Sequence, residues 1–143
     1  MKNIEAFNIA VGCIFGQCYK EFPLKTNISI WEVGDEIKNS FGTENCNHTN
    51  LDDYEYKVVE STMQWLVQSG YLWCDNTKKP INFEGVILTP KGLEVLNLMP
   101  DSLGHTQTIG ETLSKGAKAV GREVTMTSVQ LCLGLGAKLL AGT

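Results

Sequence analysis

The sequence has little arginine, the side chain that most often reads nucleic acids. Of the 143 residues only Arg122 is an arginine, and the sixteen acidic residues outnumber the twelve basic ones, for a net charge of −4. Arginine binds guanine and phosphate through two parallel hydrogen bonds, and DNA-binding domains usually carry a basic face. The composition therefore disfavours ordinary DNA reading and favours a basic partner.

Residues for catalysis and metal binding are also scarce. The two histidines are His48 and His105, and the five cysteines form no C-x-x-C pair. Cys46 and His48 supply only two ligands, whereas a structural zinc site needs four. The sequence contains no nucleophile motif, phosphate-binding loop or dinucleotide fingerprint. We therefore expect no catalytic residues, no metal and no cofactor, and we predict that the protein is not an enzyme.

The chain has no long apolar run. Glu5 and Asn8 interrupt the first apolar stretch, so no secretory signal segment is apparent, and no uncharged run is longer than 124–137, which is too short to span a bilayer. Cysteines without a pairing pattern are typical of reduced thiols. These features predict a cytoplasmic protein and argue against a membrane partner.

What is present is an ordinary globular composition, with 43% hydrophobic residues and clear helical periodicity. Apolar residues predict a first helix over 4–20, and the capping-box pattern of Ser29 and Glu32 predicts the start of a second. A third helix is expected from Leu51 to about Ser69. Two of the three tryptophans, Trp31 and Trp65, are expected in the core, and Trp73 is expected to be partly exposed.

The most informative stretch runs from Val58 to Leu96. It reads V-V-E-S-T-M-Q-W-L-V-Q-S-G-Y-L-W, then a polar gap, then F-E-G-V-I-L-T-P-K-G-L-E-V-L. That order predicts a helix ending at Gly70, a strand, a polar turn, a return strand, and a fourth helix that begins at Thr89-Pro90. In this fourth helix Leu93, Leu96 and Met99 form an apolar face, and Pro100 ends it.

This pattern resembles the second half of a winged helix-turn-helix domain, and the resemblance covers roughly residues 1–100. It implies a mainly α fold with a small β-hairpin wing. Many winged-helix proteins place their third helix in the major groove of DNA, so the resemblance raises the question of which charges that helix carries.

The predicted third helix begins with acidic residues, because Asp52, Asp53, Glu55 and Glu60 lie in its first half. Carboxylates facing the phosphates of duplex DNA would repel them. We predict that these four residues bind a basic protein partner. The alternative is that they complement the helix dipole and are otherwise solvated.

Lys78 and Lys79 form the only adjacent basic pair, and they fall at the predicted wing tip. They are candidate phosphate contacts if the protein does bind DNA. Two lysines on an exposed turn are more often simply solvated.

The composition changes after Pro100. We predict a linker at 101–107 and a Gly/Ala/Leu-rich helical extension at 108–143, beyond the winged-helix-like domain at 1–100. One continuous apolar stripe is expected to comprise Ile109, Leu113, Ala117, Val120 and Val124, followed by a similar stripe of Leu131, Leu135 and Leu139. The stripes leave open whether the extension packs within its own chain, forms a homodimer, or lies on a membrane surface.

Two functions remain open from the sequence. The first is a non-catalytic protein-interaction module, of the acidic immunity or antitoxin type that neutralises a basic partner. The alternative is a dimeric winged-helix DNA-binding transcriptional regulator whose C-terminal helices form the dimer.

Overall fold

The computed structural model describes residues 2–41, 53–75, 82–101 and 106–141. In these ranges the chain is mainly helical with one small antiparallel sheet, so the predicted fold class is confirmed. The helices are α1 (Lys2–Glu21), α2 (Ile30–Ser40), α3 (Tyr54–Gln68), α4 (Pro90–Leu96), α5 (Ile109–Ser114), α6 (Ala117–Val120) and α7 (Arg122–Ala141). The strands are β1 (Thr26–Ser29), β2 (Leu72–Trp73) and β3 (Asn82–Leu88).

The sheet has the strand order β1-β3-β2, with β3 in the centre and both pairings antiparallel. Ile28 pairs with Phe83, and Leu72 pairs with Leu88. Phe83, Val86 and Leu88 of β3 are buried, and the usual alternation of faces is interrupted at Gly85, where φ is +65° and the register with β1 shifts. The sheet therefore buries one face and leaves Trp73, on the short edge strand, 58% exposed as predicted.

Helix α1 lies at the centre of the molecule. Ile9, Ala10 and Ile14 are completely buried, and helices α2, α3, α5 and α7 all pack against α1. The α5 contact is especially close, because a Cβ added at Gly16 would overlap the backbone carbonyl of Leu113. A glycine at this position lets the two helices approach to backbone contact.

Local capping chemistry explains where several helices begin. The Ser29 hydroxyl accepts a hydrogen bond from the Glu32 amide, as the sequence predicts. Thr89 does the same for the amide of Gly92, and Pro90 occupies the first helical position. A full capping box joins Thr108 and Glu111, a signal that is present in the sequence but absent from our predictions.

Two predicted helix boundaries were wrong. Helix α3 begins at Tyr54 rather than Leu51, with Asp53 as the residue that precedes its first turn. Helix α4 ends at Leu96, so Met99 lies beyond it and is exposed instead of extending its apolar face. Amide groups of Asn97 and Leu98 bond to Leu93 and Val95 as the chain leaves the helix.

The continuous stripe predicted for the C-terminal segment was also wrong. Gly116 and Gly121 have φ of +91° and +92°, values that glycine adopts without strain, and each breaks the helix. The segment therefore forms α5, α6 and α7, and Val124 is exposed instead of lying in line with Ile109. The side chain of Leu139 lies outside the described part.

The C-terminal helices pack on the rest of the same chain. Ile109 and Leu113 of α5 and Val129 and Cys132 of α7 belong to the core cluster that contains α1. The Tyr71 hydroxyl also donates a hydrogen bond to the carbonyl of Leu133 in α7. The division into 1–100, 101–107 and 108–143 stays a prediction. No helix in the described ranges is long and apolar enough to cross a membrane.

We expect Gly34→Ala to lower the free energy of unfolding by about 1–3 kcal/mol, because its new methyl group would overlap the ring of Tyr56. Gly134→Ala is the matched control: among the described residues, nothing outside its own helix backbone lies within 4 Å of the added Cβ, so the variant should gain up to about 1 kcal/mol of helix propensity. Denaturant unfolding followed by circular dichroism measures both. Equal effects would contradict the close packing of α2 on α3.

Candidate functional site

Three of the four carboxylates predicted to bind a partner, Asp53, Glu55 and Glu60, lie in the described ranges, and these three do not form one exposed cluster. Asp53 lies just before α3, and its Oδ2 is 3.1 Å from the Nζ of Lys38 in α2. The Lys38 side chain is only 8% exposed and that of Asp53 is 33% exposed. The charge of Asp53 is therefore compensated within the chain by a buried lysine.

This ion pair belongs to a polar network that joins α2 and α3. The Lys38 ammonium lies 4.5 Å from the centre of the Tyr56 ring, and the Tyr56 hydroxyl donates a 2.8 Å hydrogen bond to Asp35 Oδ1. Burial alone would lower the pKa of Lys38, but its interactions with Asp53 and Tyr56 outweigh burial and raise it. Burial and the bond to Asp35 raise the pKa of the Tyr56 phenol. Both groups stay protonated at neutral pH.

Glu55 and Glu60 lie on α3 but not together. Both are half-buried, and five residues of helix separate them by about 140° around its axis. Glu55 and Glu60 therefore lie on opposite sides of the exposed face of α3. Asp52 lies outside the described residues, and so do Lys78 and Lys79. The partner-binding role of Asp52, Asp53, Glu55 and Glu60 stays a prediction.

The exposed face of α3 carries no carboxylate. We call it the α3 front. Its members are the six exposed residues of the helix, Tyr54, Lys57, Ser61, Gln64, Trp65 and Gln68. Lys57 is the only charged side chain among them. The α3 front is thus an aromatic and uncharged polar surface with a single positive charge.

Trp65 was wrongly predicted to be in the core, since 43% of the residue is exposed. Its ring makes an edge contact with Phe7 of α1, with the ring centres 5.4 Å apart. Beside this pair is a shallow, mostly apolar groove of about 480 Å³ between α1 and α3, lined also by Tyr54, Lys57 and Val58. A large exposed aromatic next to an apolar groove is typical of a contact surface.

A second groove carries the negative charge that the α3 front lacks. We call it the acidic groove. It has a volume of about 610 Å³ and lies between α1, α2 and the α5–α6 segment. Its charged lining residues are Lys20, Glu21, Glu32, Asp35 and Glu36, a formal charge of −3. In such a concave site neighbouring carboxylates reinforce one another's field.

The sequence contained the signal for this groove. Glu32, Asp35 and Glu36 stand at spacings of three and four residues, which places them on one side of a helix. From the sequence, Glu32 is interpreted only as part of a capping box, and no role is predicted for Asp35 or Glu36. What the sequence could not provide was the opposing wall from α1 and α5, which are distant along the chain.

Cys13 is one of the residues that line the acidic groove, and burial, reinforced by Glu36, raises the pKa of this thiol to about 12. A protonated thiol is a poor nucleophile and a poor metal ligand. Burial raises the pKa of Cys18 and of Cys132 to about 12 as well.

In the described ranges no three His, Cys, Asp or Glu side chains come together in a way that could hold a metal ion. The candidate ligands Cys46 and His48 lie outside those ranges, as does His105.

Comparison of the chain with protein-family models, with curated protein sequences and with solved structures finds no match. The two grooves and the α3 front are therefore the features from which a function can be argued.

We expect Asp53→Asn to lower the free energy of unfolding by about 1–2 kcal/mol, because it leaves the buried Lys38 ammonium without its counter-charge. The cost is below that of a fully buried pair, since Asp53 is partly solvated. Glu60→Gln, a change of the same kind on the same helix, should alter stability by less than about 0.5 kcal/mol. Denaturant unfolding at neutral pH measures both, and an unchanged Asp53→Asn variant would contradict the structural role of this pair.

Proposed function

We propose that the protein is a non-catalytic interaction module that binds a basic segment of a partner protein in the acidic groove. The observation that carries this proposal is the groove itself, with four carboxylates and one lysine around a volume of about 610 Å³. The net charge of −4 adds a long-range attraction for a cationic partner.

Charge complementarity of this kind speeds association and selects against acidic partners. A lysine- or arginine-rich segment would replace repulsion among Glu21, Glu32 and Glu36 with attraction. Such a module fits a cytoplasmic immunity or antitoxin protein that covers the cationic surface of a nuclease-like toxin. That particular assignment rests on size and charge alone.

We further propose that residues 1–100 are related to winged-helix domains. Two features support this relationship: the element order α1-β1-α2-α3-β2-β3, and the sheet order β1-β3-β2, in which the last strand inserts between the other two. In this proposal the chain retains the winged-helix architecture, but its charged surface serves a function other than DNA binding.

Two sets of carboxylates are candidates for the binding site, those of the acidic groove and those predicted at α3, and charge reversal distinguishes them. A partner captured from the native host is first purified, and its affinity is then measured by calorimetry. We expect Glu32→Lys combined with Glu36→Lys to weaken binding by about tenfold or more, because both carboxylates line the groove. Glu55→Lys combined with Glu60→Lys makes the same change of net charge on α3 and should weaken binding much less.

The ionic strength provides the second readout. Added salt should weaken binding of the wild-type chain more steeply than binding of the groove variant, because exposed charges are screened. An affinity that ignores salt would contradict the charged groove. Loss of binding with the α3 pair but not with the groove pair would instead favour the surface predicted from the sequence.

The second candidate function is a dimeric DNA-binding regulator, and one observation favours it. The α3 front has no carboxylate and offers hydrogen-bonding side chains from Lys57, Ser61 and Gln64. Such groups can contact base edges and phosphates in a major groove. Dimerisation through 108–143, which belongs to this candidate, stays a prediction, and the buried apolar side chains of that segment are already used within the chain.

The charges argue against this second candidate. Arg122, the only arginine, donates a hydrogen bond to the Ser40 carbonyl and lies 3.7 Å from Glu5, so it is engaged within the chain.

A gel-shift assay with genomic DNA fragments at low salt tests whether the protein binds DNA. For a DNA reader we expect a shift that Lys57→Ala and Gln64→Ala both reduce. Absence of any shift at micromolar protein would dismiss DNA binding.

A further inference from the structure

The six residues of the α3 front include no carboxylate, so two copies of this protein can meet there with little repulsion between these residues. Each copy has a net charge of −4, which opposes self-association in general. On the α3 front, however, none of the six exposed residues is acidic and Lys57 is positively charged. Tyr54 and Trp65 are 42% and 43% exposed, and aromatic side chains of this kind are enriched at protein interfaces.

The order of residues along α3 is self-complementary. Ser61 is the midpoint of the fifteen-residue helix, and Lys57 and Trp65 lie four residues to either side of it. When two copies of the helix pack antiparallel about a twofold axis at Ser61, each residue before the midpoint meets the residue equally far beyond it. Lys57 therefore meets Trp65 of the partner subunit, and this contact occurs twice.

The chemistry of that contact is favourable. Lys57 and Trp65 each lie about 6 Å along the helix from Ser61, at the usual rise per residue, so their Cα atoms lie at the same height on the two antiparallel helices. The Trp65 ring stacks on Tyr71 with the ring centres 6.3 Å apart, and the long Lys57 side chain over the rest of the indole forms an attractive cation–π pair. The small Ser61 side chain at the crossing point lets the two helices approach at an ordinary packing distance.

The neighbouring apolar groove extends the contact beyond α3. It runs between α1 and α3 past Phe7 and Val58, and Ile4 in the first turns of α1 is exposed as well. A twofold axis at Ser61 would bring this apolar strip toward its equivalent in the second copy. Burial of these side chains would supply the apolar area that the polar members of the front cannot.

We propose that the protein forms a twofold symmetric homodimer through the α3 front, with Lys57 of each copy over Trp65 of the partner subunit. The occupant of this surface is a second copy of the chain, bound away from the acidic groove. The proposal does not depend on what the groove binds. It also differs from a dimer formed by residues 108–143.

The position of the twofold axis provides the sharpest test. In the full chain, Ser61→Cys places a thiol next to its own copy, so mild oxidation should give a disulfide-linked dimer in high yield. Gln130→Cys is the matched control, because it places an exposed thiol on α7, away from the proposed axis. The wild-type chain gives the background from the native cysteines. A yield for Ser61→Cys no higher than for Gln130→Cys would overturn the proposal.

The second test measures the affinity of the dimer by sedimentation equilibrium. We expect Lys57→Glu and Trp65→Ala each to weaken the dimer about tenfold or more, since central aromatic and paired charged residues dominate interfaces. Lys138→Glu makes the same charge change on an exposed part of α7 and should leave the dimer nearly unchanged. Circular dichroism checks that each variant is folded.

Three outcomes contradict the proposal. The wild-type chain could remain monomeric at high micromolar concentration. It could dimerise equally well with Lys57→Glu and with Lys138→Glu, which would place the interface elsewhere, as in the C-terminal segment. It could also be a monomer whose Lys57→Glu variant loses binding to duplex DNA, in which case the α3 front is a DNA-binding surface.

Discussion

The fold depends on the burial of the apolar side chains of α1, the first helix of the chain. Helix α1 contributes Ile9, Ile14 and Phe15 to the core with no exposure, and helices from both halves of the chain pack around it. Its two glycines, Gly12 and Gly16, face α7 and α5 closely enough that a Cβ at either position would meet neighbouring atoms. The apolar residues drive burial, and the glycines permit close approach on the crowded side. The C-terminal helices are for this reason part of the same core.

As a consequence of this packing, the acidic side chains are distributed unequally between the acidic groove and the α3 front. Packing of α5 against α1 provides the wall opposite the acidic side of α2, which turns three carboxylates on one helix into a groove. On the other side of α2, the buried network of Lys38, Asp53 and Tyr56 uses one acidic residue to hold α3 in place. The front of α3 is thereby left without negative charge, although the protein as a whole is acidic. We propose the first surface as the site for a cationic partner and the second as the site for another copy of the chain.

Much of the local structure was predictable because its causes are local. Helix caps such as Ser29 and Thr89 depend only on residues a few positions away, and so does the left-handed backbone conformation that glycine can adopt. The two strands around the polar gap and the helix after Thr89-Pro90 were identified from such signals. The apolar spacing predicts one or two helices after residue 108, weakened by glycines, but the positive φ of Gly116 and Gly121 divides the segment into three. The acidic residues from Asp52 onward favour an early start of the third helix, whereas α3 begins at Tyr54 and the Asp53 side chain pairs with Lys38.

The candidate sites were less predictable, and the reason is distance along the chain. The sequence by itself determined the acidic balance, the helical content, the edge-strand position of Trp73 and the absence of familiar catalytic motifs. Only the tertiary structure decided that Trp65 is half exposed beside Phe7, that Asp53 neutralises a buried lysine, and that Glu32 and Glu36 face a wall from α1 and α5. Composition and residue spacing can be read from the sequence. The electrostatic field at a surface depends instead on which helices pack next to one another, and core packing decides that.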